Sequence, residues 1–335
     1  MTLRKNRKAV LASRPLGLPN RGNFRIIDDI VGELGPGQAL VENQYLSVDP
    51  AMRGWVSDES NYADPVAIGA VMRASAVGRV VSSRSTHLKL GEIVVGRFGW
   101  QEYAIVDDMT EVRVVSASYP PSLALGALGA NGVTAWLGFM NIGQPKRGDV
   151  VVVSTAAGAV GSLVGQLARL AGCRTIGIVG SDEKADICLN EFGYDVAINY
   201  KSDTFLDHLE DACADGVDIY FDNTSGRISD AVMGYLNKNA RIIVCGTAAI
   251  ESWDPLPTGP RIHRQLLTKR ARMEGFLLQD HSHEFDSVVD HLTTLVDSGA
   301  LKYREHVLVG IERAPEALEL LLKGGNLGKT IIQVD

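Results

Sequence analysis

Val150-Val-Val-Val153-Ser154-Thr-Ala156-Ala-Gly158-Ala-Val-Gly161-Ser162 is the stretch that decides the fold. Its four valines make a continuous β-branched run, the pattern of a parallel strand buried on both faces. A glycine-bearing turn follows, then helix-like sequence from Val160 to Leu170. Strand, glycine turn and helix in that order suit a pyrophosphate. Gly158 removes the Cβ that would block its approach, and Gly161 lets the helix pack closely on the strand. Ala159 and Val160 lie between them at a helix N-terminus, where free N–H groups carry a partial positive charge. Ala156 stands at the first position of the usual Gly-x-Gly-x-x-Gly pattern, so the surrounding elements must carry the argument. A glycine-rich turn without a ligand has the same composition.

Outward from this turn, strand and helix alternate. Thr175–Val179 reads as a strand, Asp182 to Phe192 as a helix, and Val196–Tyr200, Val217–Phe221 and Arg241–Cys245 as three more strands. Repeated βα units predict a parallel sheet with helices on both faces. Before residue 125 the texture differs. Short β segments at Ala39–Val48, Ala76–Val81, Glu92–Phe98, Tyr103–Val106 and Val112–Val115 predict a small antiparallel barrel or sandwich. The tail adds a strand at His306–Val309, a helix at Ala314–Leu322 and a strand at Thr330–Val334.

A chain of 335 residues accommodates two such domains, expected here at 1–124 with 304–335 and at 125–303. A net charge of −7 argues against nucleic acid or an anionic membrane as partner. No apolar run reaches the ~20 residues of a membrane span. The basic start Arg4-Lys5-Asn6-Arg7-Lys8 is followed only by Ala9 to Ala12, too short for a secretory core, so a cytoplasmic protein is expected. Cys173, Cys188, Cys213 and Cys245 show no paired spacing, which fits reduced thiols.

The end of the second parallel strand chooses the nicotinamide cofactor. An NAD site places Asp or Glu there for the ribose 2′-hydroxyl, and that acid repels a 2′-phosphate. Here the strand runs into Gly180-Ser181-Asp182-Glu183-Lys184. Gly180 and Ser181 leave room, Ser181 can donate a hydrogen bond, and Lys184 can turn back from the helix. In the competing reading Ser181 is an N-cap, Asp182 and Glu183 are first-turn acids, and Lys184 is a solvated lysine. The set favours NADP(H).

Zinc is not expected. Residues 1–125 hold no cysteine and one histidine, His87, and the four cysteines are scattered. His281-Ser-His283 beside Asp280 and Glu284 is the one metal-like cluster, and its pattern suits a solvated turn. No Gly-x-Ser-x-Gly nucleophile motif is present.

Taken together, Ala156–Ser162, Gly180–Lys184, Asn199-Tyr200, Phe221-Asp222-Asn223 and Asn326-Leu-Gly-Lys329 resemble the zinc-independent medium-chain dehydrogenase/reductases. The likeness is to the leukotriene B4 dehydrogenase, prostaglandin reductase and curcumin reductase branch. Tyr45-Leu-Ser-Val-Asp-Pro-Ala-Met-Arg53 and Tyr62-x-x-Pro-Val-x-Ile-Gly-x-Val-Met72 extend it over the N-terminal half. The resemblance implies a GroES-like β-barrel catalytic domain, a Rossmann domain inserted into it, a homodimer, and NADPH-dependent reduction of the C=C bond of α,β-unsaturated aldehydes and ketones. It also implies that Lys184 and Tyr200 lie at the adenosine phosphate and Asn223 beyond the fourth strand. Cys245, Gly246, Thr247, Phe276, Leu277 and Leu278 would line the nicotinamide side, with Asn326 reaching in from the tail.

Bland roles stand beside these: core packing for Phe276 and the leucines, a partly buried aromatic for Tyr200, a turn for Asn326. Many relatives carry a tyrosine in an Ile-Ser-x-Tyr-Asn stretch, whereas Trp253-Asp254 occupies that place here. An indole cannot act as a general acid near neutral pH, and Glu251 on a loop is expected to be solvated. Tyr62 therefore becomes the expected hydrogen-bond donor to the substrate oxygen, with water delivering the proton. A tyrosine that merely packs its loop is the competing reading. Two other functions share the framework: a zinc-free quinone oxidoreductase, and an NADPH-binding sensor without turnover.

Overall fold

The β-branched segments of the N-terminal part form seven strands: β1 (Lys5–Leu11), β2 (Phe24–Ile30), β3 (Gln38–Ser47), β4 (Ala76–Ser83), β5 (Ile93–Gly96), β6 (Tyr103–Asp107) and β7 (Val112–Val114). In the computed structural model, which describes residues 4–58, 62–253 and 255–335, they belong to a unit made of Met1–Gly126 and Glu305–Asp335. The last two strands of the chain, β14 (Glu305–Val309) and β15 (Lys329–Gln333), complete it. β15 pairs antiparallel with β3, and the sheet runs β14-β15-β3-β4-β5-β7 with β6 also on β3. This is the GroES-like barrel. Its core gathers Leu11, Leu46, Met52, Trp100 and Ile332. The Trp100 indole donates to the Ser47 carbonyl at 2.9 Å, so a large buried ring keeps its one polar group satisfied.

β1, which begins in the basic start, and β2, which carries Asp28 and Asp29, are not marked as strands by the sequence pattern. Charge hides them: Arg7 pairs with Glu102 at 2.6 Å and Lys8 with Asp29 at 2.7 Å, while Ala9, Val10 and Leu11 turn into the core.

The second unit, Ala127–Arg304, is the Rossmann domain. Its strands are β8 (Val150–Ser154), β9 (Arg174–Val179), β10 (Val196–Asn199), β11 (Val217–Asp222), β12 (Leu236–Val244) and β13 (Arg272–Gly275). They form one parallel sheet in the order β10-β9-β8-β11-β12-β13. The order reverses between β8 and β11, the switch point outside whose carboxyl ends such sheets bind ligands. All five residues of β8 are buried, as a central parallel strand requires. The helix Gly161–Leu170 follows, and Gly172 at φ 78° ends it in the left-handed conformation that glycine adopts without strain. Ahead of β8, the helix Ala130–Trp136 widens into a π-helix over Leu137–Gly143, which closes on Gln144 at φ 45°.

Candidate active site

At the turn after β8, Thr155 takes φ 54° and its carbonyl becomes the pivot. The Gly158 N–H donates to it at 2.9 Å, and a Cβ on Gly161 would stand 2.3 Å from it. Gly161 is thus required by close approach of the Thr155 backbone. Ala156 replaces the first motif glycine because the next strand yields: Gly177 has no Cβ, and one there would meet the Ala156 methyl at 2.8 Å. No side chain caps the N-terminus of the helix Gly161–Leu170; the Ser162 and Leu163 N–H groups turn back onto the Gly158 and Val160 carbonyls at 3.0 and 3.1 Å, and the positive end of the helix faces the turn. Buried Tyr194 braces this first turn by donating its phenol O–H to the Gly161 carbonyl at 2.7 Å.

At the carboxyl end of β9 the structure gathers Gly180, Ser181, Lys184, Tyr200 and, unforeseen, Lys201. The Ser181 hydroxyl accepts from the Lys184 N–H at 3.3 Å, so it is an N-cap, as the competing reading held. Asp182 accepts from the Asn199 amide at 2.9 Å. The Lys201 ammonium lies 5.8 Å from the Tyr200 ring centroid, and a Cβ at Gly180 would contact both side chains. Burial, then repulsion from Lys201, lowers the Lys184 pKa. Two cations held close enough to oppose each other fit a bound phosphate, whose charge relieves both. A basic residue directly after the β10 strand end is the signal that would have found Lys201.

Across the switch point, one buried carboxylate organises the loops. Asp222 Oδ1 accepts from the Tyr220 phenol at 3.0 Å and from the N–H groups of Thr224 and Ser225 at 2.9 and 2.8 Å. Asn223 ties this loop to β8, its N–H donating to Ser154 Oγ at 2.8 Å and its side-chain amide to the Ser154 carbonyl at 2.7 Å. The Cys245 and Gly246 N–H groups donate to the Asp222 carbonyl at 2.8 and 3.1 Å, which brings Asn223, Cys245 and Gly246 together, with half-buried Thr247 following. Phe276 follows β13 half-buried, Leu277 is 38 % exposed, and Leu278 opens a short 3₁₀ segment. In the sequence Asp222 stands out only as the middle of Phe221-Asp222-Asn223. Its role was hidden because its partners come from β8 and from the turn of the loop itself.

In the barrel unit, Tyr62 is 51 % exposed. Desolvation raises its phenol pKa, while the Trp55 indole, Arg97 and Arg73 act the other way. The hydroxyl therefore stays protonated at neutral pH and can donate. Asn326 is buried, and its amide donates to the Gly328 carbonyl at 2.9 Å, the geometry of a turn residue. Beside it Lys329 is buried with all three protons placed: on Ser47 Oγ at 2.7 Å, the Val48 carbonyl at 2.9 Å and Asp49 Oδ1 at 2.6 Å. Trp253 and Glu251 are exposed, and Asp254 lies outside the described residues.

Among the described residues no group of three His, Cys, Asp or Glu side chains is arranged to hold a metal ion. His281 bonds Glu284 at 3.1 Å, and its neighbour His283 lies 3.9 Å from the same oxygen.

Residues 7–115 match the family described as the N-terminal domain of oxidoreductase, and residues 159–294 match that described as zinc-binding dehydrogenase. The chain is 42% identical to the NADPH-dependent curcumin reductase of Escherichia coli (strain K12), over 98% of this chain and 97% of that protein. It is 36% identical to the NADP(+)-dependent 2-alkenal reductase of Nicotiana tabacum, again over 98% and 97%. The crystal structure of CurA from Vibrio vulnificus in complex with NADPH superposes with a TM-score of 0.94 at 42% identity, covering 98% of this chain and 99% of that one. The chain belongs to the zinc-independent medium-chain dehydrogenase/reductases, in the branch of the curcumin and 2-alkenal reductases.

Proposed function

We propose that this chain is an NADPH-dependent reductase of the C=C bond in α,β-unsaturated aldehydes and ketones. The observation that carries the cofactor is the lysine pair at the β9 end, Lys184 and Lys201, set beside an uncapped glycine-turn helix. The pyrophosphate would rest on the turn Gly158 through Gly161, where the Gly158 N–H is already held by the Thr155 carbonyl and the amides beyond it face the ligand, and Ser181, Lys184, Lys201 and Tyr200 would receive the 2′-phosphate and adenosine. Asn223, the Cys245–Thr247 loop and Phe276–Leu278 would border the nicotinamide, and Asn326 shapes the tail turn of the barrel unit. NADPH held there supplies the hydride for the β-carbon of the conjugated carbonyl. Tyr62 donates a hydrogen bond to the carbonyl oxygen as charge builds on it, and water protonates the α-carbon. Without a Lewis acid, that donor is what polarises the substrate.

The same reading includes a cytoplasmic protein, supported by four free cysteines. It also includes a homodimer, supported by β13 standing as the terminal strand of its sheet, an edge that proteins tend to cover. Sedimentation equilibrium at two copies per particle tests the latter. The function is tested by following NADPH oxidation against an enone panel and a quinone, with product analysis. A saturated ketone as product supports the reading. Turnover of the quinone alone, or cofactor binding without turnover, defeats it.

A further inference from the structure

A π-helix, with its wider i→i+5 turn, is rare and is frequently found at functional sites. Leu137–Gly143 is one, and it touches the polypeptide around Phe276 at three places. Gly138 faces two aromatic rings so closely that a Cβ there would stand 2.8 Å from Phe221 Cε2 and 2.8 Å from Phe276 Cζ. Four residues before Phe276, the Arg272 guanidinium donates to the Ile142 carbonyl. Eight residues after it, Glu284 accepts from the Asn141 side-chain amide at 2.9 Å. Arg241 of β12 fixes the far end of the π-helix, donating to the Gly143 carbonyl at 2.9 Å and to that of Gln144 at 3.4 Å, while it pairs with Asp149. Both arginine contacts engage carbonyls left without helical partners at a C-terminus.

The segment Phe276–Leu278 is therefore bracketed by two ties to one element and pressed at its aromatic ring by a third contact from it. We propose that the π-helix Leu137–Gly143 is the positioning element for Phe276–Leu278, with Gly138 setting the Phe276 ring. This rests on the reading that the segment borders the nicotinamide. The widened turn brings the backbone of residue 138 to the ring at a distance that only glycine permits, so the depth of the ring is decided by the helix rather than by β13 alone.

Three variants of the full-length protein with NADPH test this: Gly138→Ala, Asn141→Ala and Phe276→Leu. The emission of bound nicotinamide reports its surroundings without any turnover, and the primary deuterium isotope effect with 4-deuterated NADPH reports the hydride step. Gly138→Ala is expected to change the bound emission, raise the isotope effect and lower kcat/KM about ten- to a hundredfold, the scale of an ångström misplacement. The NADPH Kd should move less than about threefold, because the phosphate contacts are remote. Asn141→Ala, an exposed tie whose loss spares the core, should shift emission in the same direction by a smaller amount and covers the case in which Gly138→Ala does not fold. Adding Phe276→Leu to Gly138→Ala should relieve the Phe276 side of the clash, leaving only that with Phe221, and bring the emission back toward that of Phe276→Leu alone. If Phe276→Leu leaves the emission unchanged, the segment does not border the nicotinamide and the underlying reading fails. If Phe276→Leu changes it while neither π-helix variant does, the positioning role is overturned.

Discussion

Replacing Lys184 by alanine probes the cofactor choice directly. The side chain is half-buried at the end of β9, and burial together with Lys201 depresses its pKa below the ordinary lysine value. In the free protein its charge is thus disfavoured. A 2′-phosphate favours the charged form and gains a charge-assisted hydrogen bond, on the order of 1–3 kcal/mol. Lys184→Ala should weaken NADPH binding roughly five- to 150-fold, at about 1.4 kcal/mol per tenfold, and leave NADH binding nearly unchanged. The sign with pH follows: as pH rises through the depressed pKa of the free enzyme, NADPH binding must bring a proton with it, so NADPH affinity falls with alkalinity while NADH affinity does not. Isothermal titration in buffers of differing ionisation enthalpy reads both the affinity and the proton uptake. Equal losses for the two cofactors, or NADPH binding without proton uptake at alkaline pH, would refute the assignment and leave Lys184 a structural residue.

Tyr62→Phe should lower kcat/KM for an enone roughly ten- to a thousandfold without touching NADPH affinity; full turnover would remove the phenol from the mechanism. Because the Tyr62 pKa is raised, wild-type kcat/KM should lose this donor only above the ordinary tyrosine range, and a fall near neutral pH would contradict it. Gly165→Ala would place a Cβ 2.1 Å from Tyr194 Cζ, so thermal unfolding should show a loss of about 1–3 kcal/mol or more. NADPH binding should weaken as well, because the Tyr194 bond to the Gly161 carbonyl is displaced. Protein prepared without added metal should contain no stoichiometric zinc, and chelators should leave the thermal midpoint unchanged; one zinc per chain by elemental analysis would overturn the ligand count.

Five of the six strands of the Rossmann sheet, β8 to β12, were legible from segments rich in valine and isoleucine; the edge strand β13, Arg-Met-Glu-Gly, carries no such signal and was not expected. The expected helix at Ala314–Leu322 has those bounds, and the expected strand Arg241–Cys245 overlaps the second half of the longer β12, which ends at Val244. The π-helix was not legible. Gly132-Val-Thr-Ala-Trp-Leu-Gly-Phe-Met-Asn-Ile-Gly143 has ordinary helical apolar spacing, and the rings that Gly138 faces lie 83 and 138 residues away in the sequence. The glycine turn stood out because close approach demands a residue type. The Asp222 hub and the Lys329 tether did not, since each takes its meaning from partners brought by distant strands, 68 residues off for Ser154 and 282 for Ser47. Ser181 and Asn326 show the opposite outcome: their local roles, cap and turn, are the ones formed.

The four thiols have one further consequence. Burial pushes Cys173 and Cys213 up to about 11 and Cys188 and Cys245 to about 12, and the Asp222 carboxylate adds to the effect at Cys245. Conjugated carbonyls alkylate thiolates, and only the thiolate is a competent nucleophile. A protein that handles such electrophiles while burial favours the thiol form of its own sulfurs is alkylated by them more slowly. The anion that stitches β8 to β11 thereby also shields the cysteine nearest to it from self-inactivation.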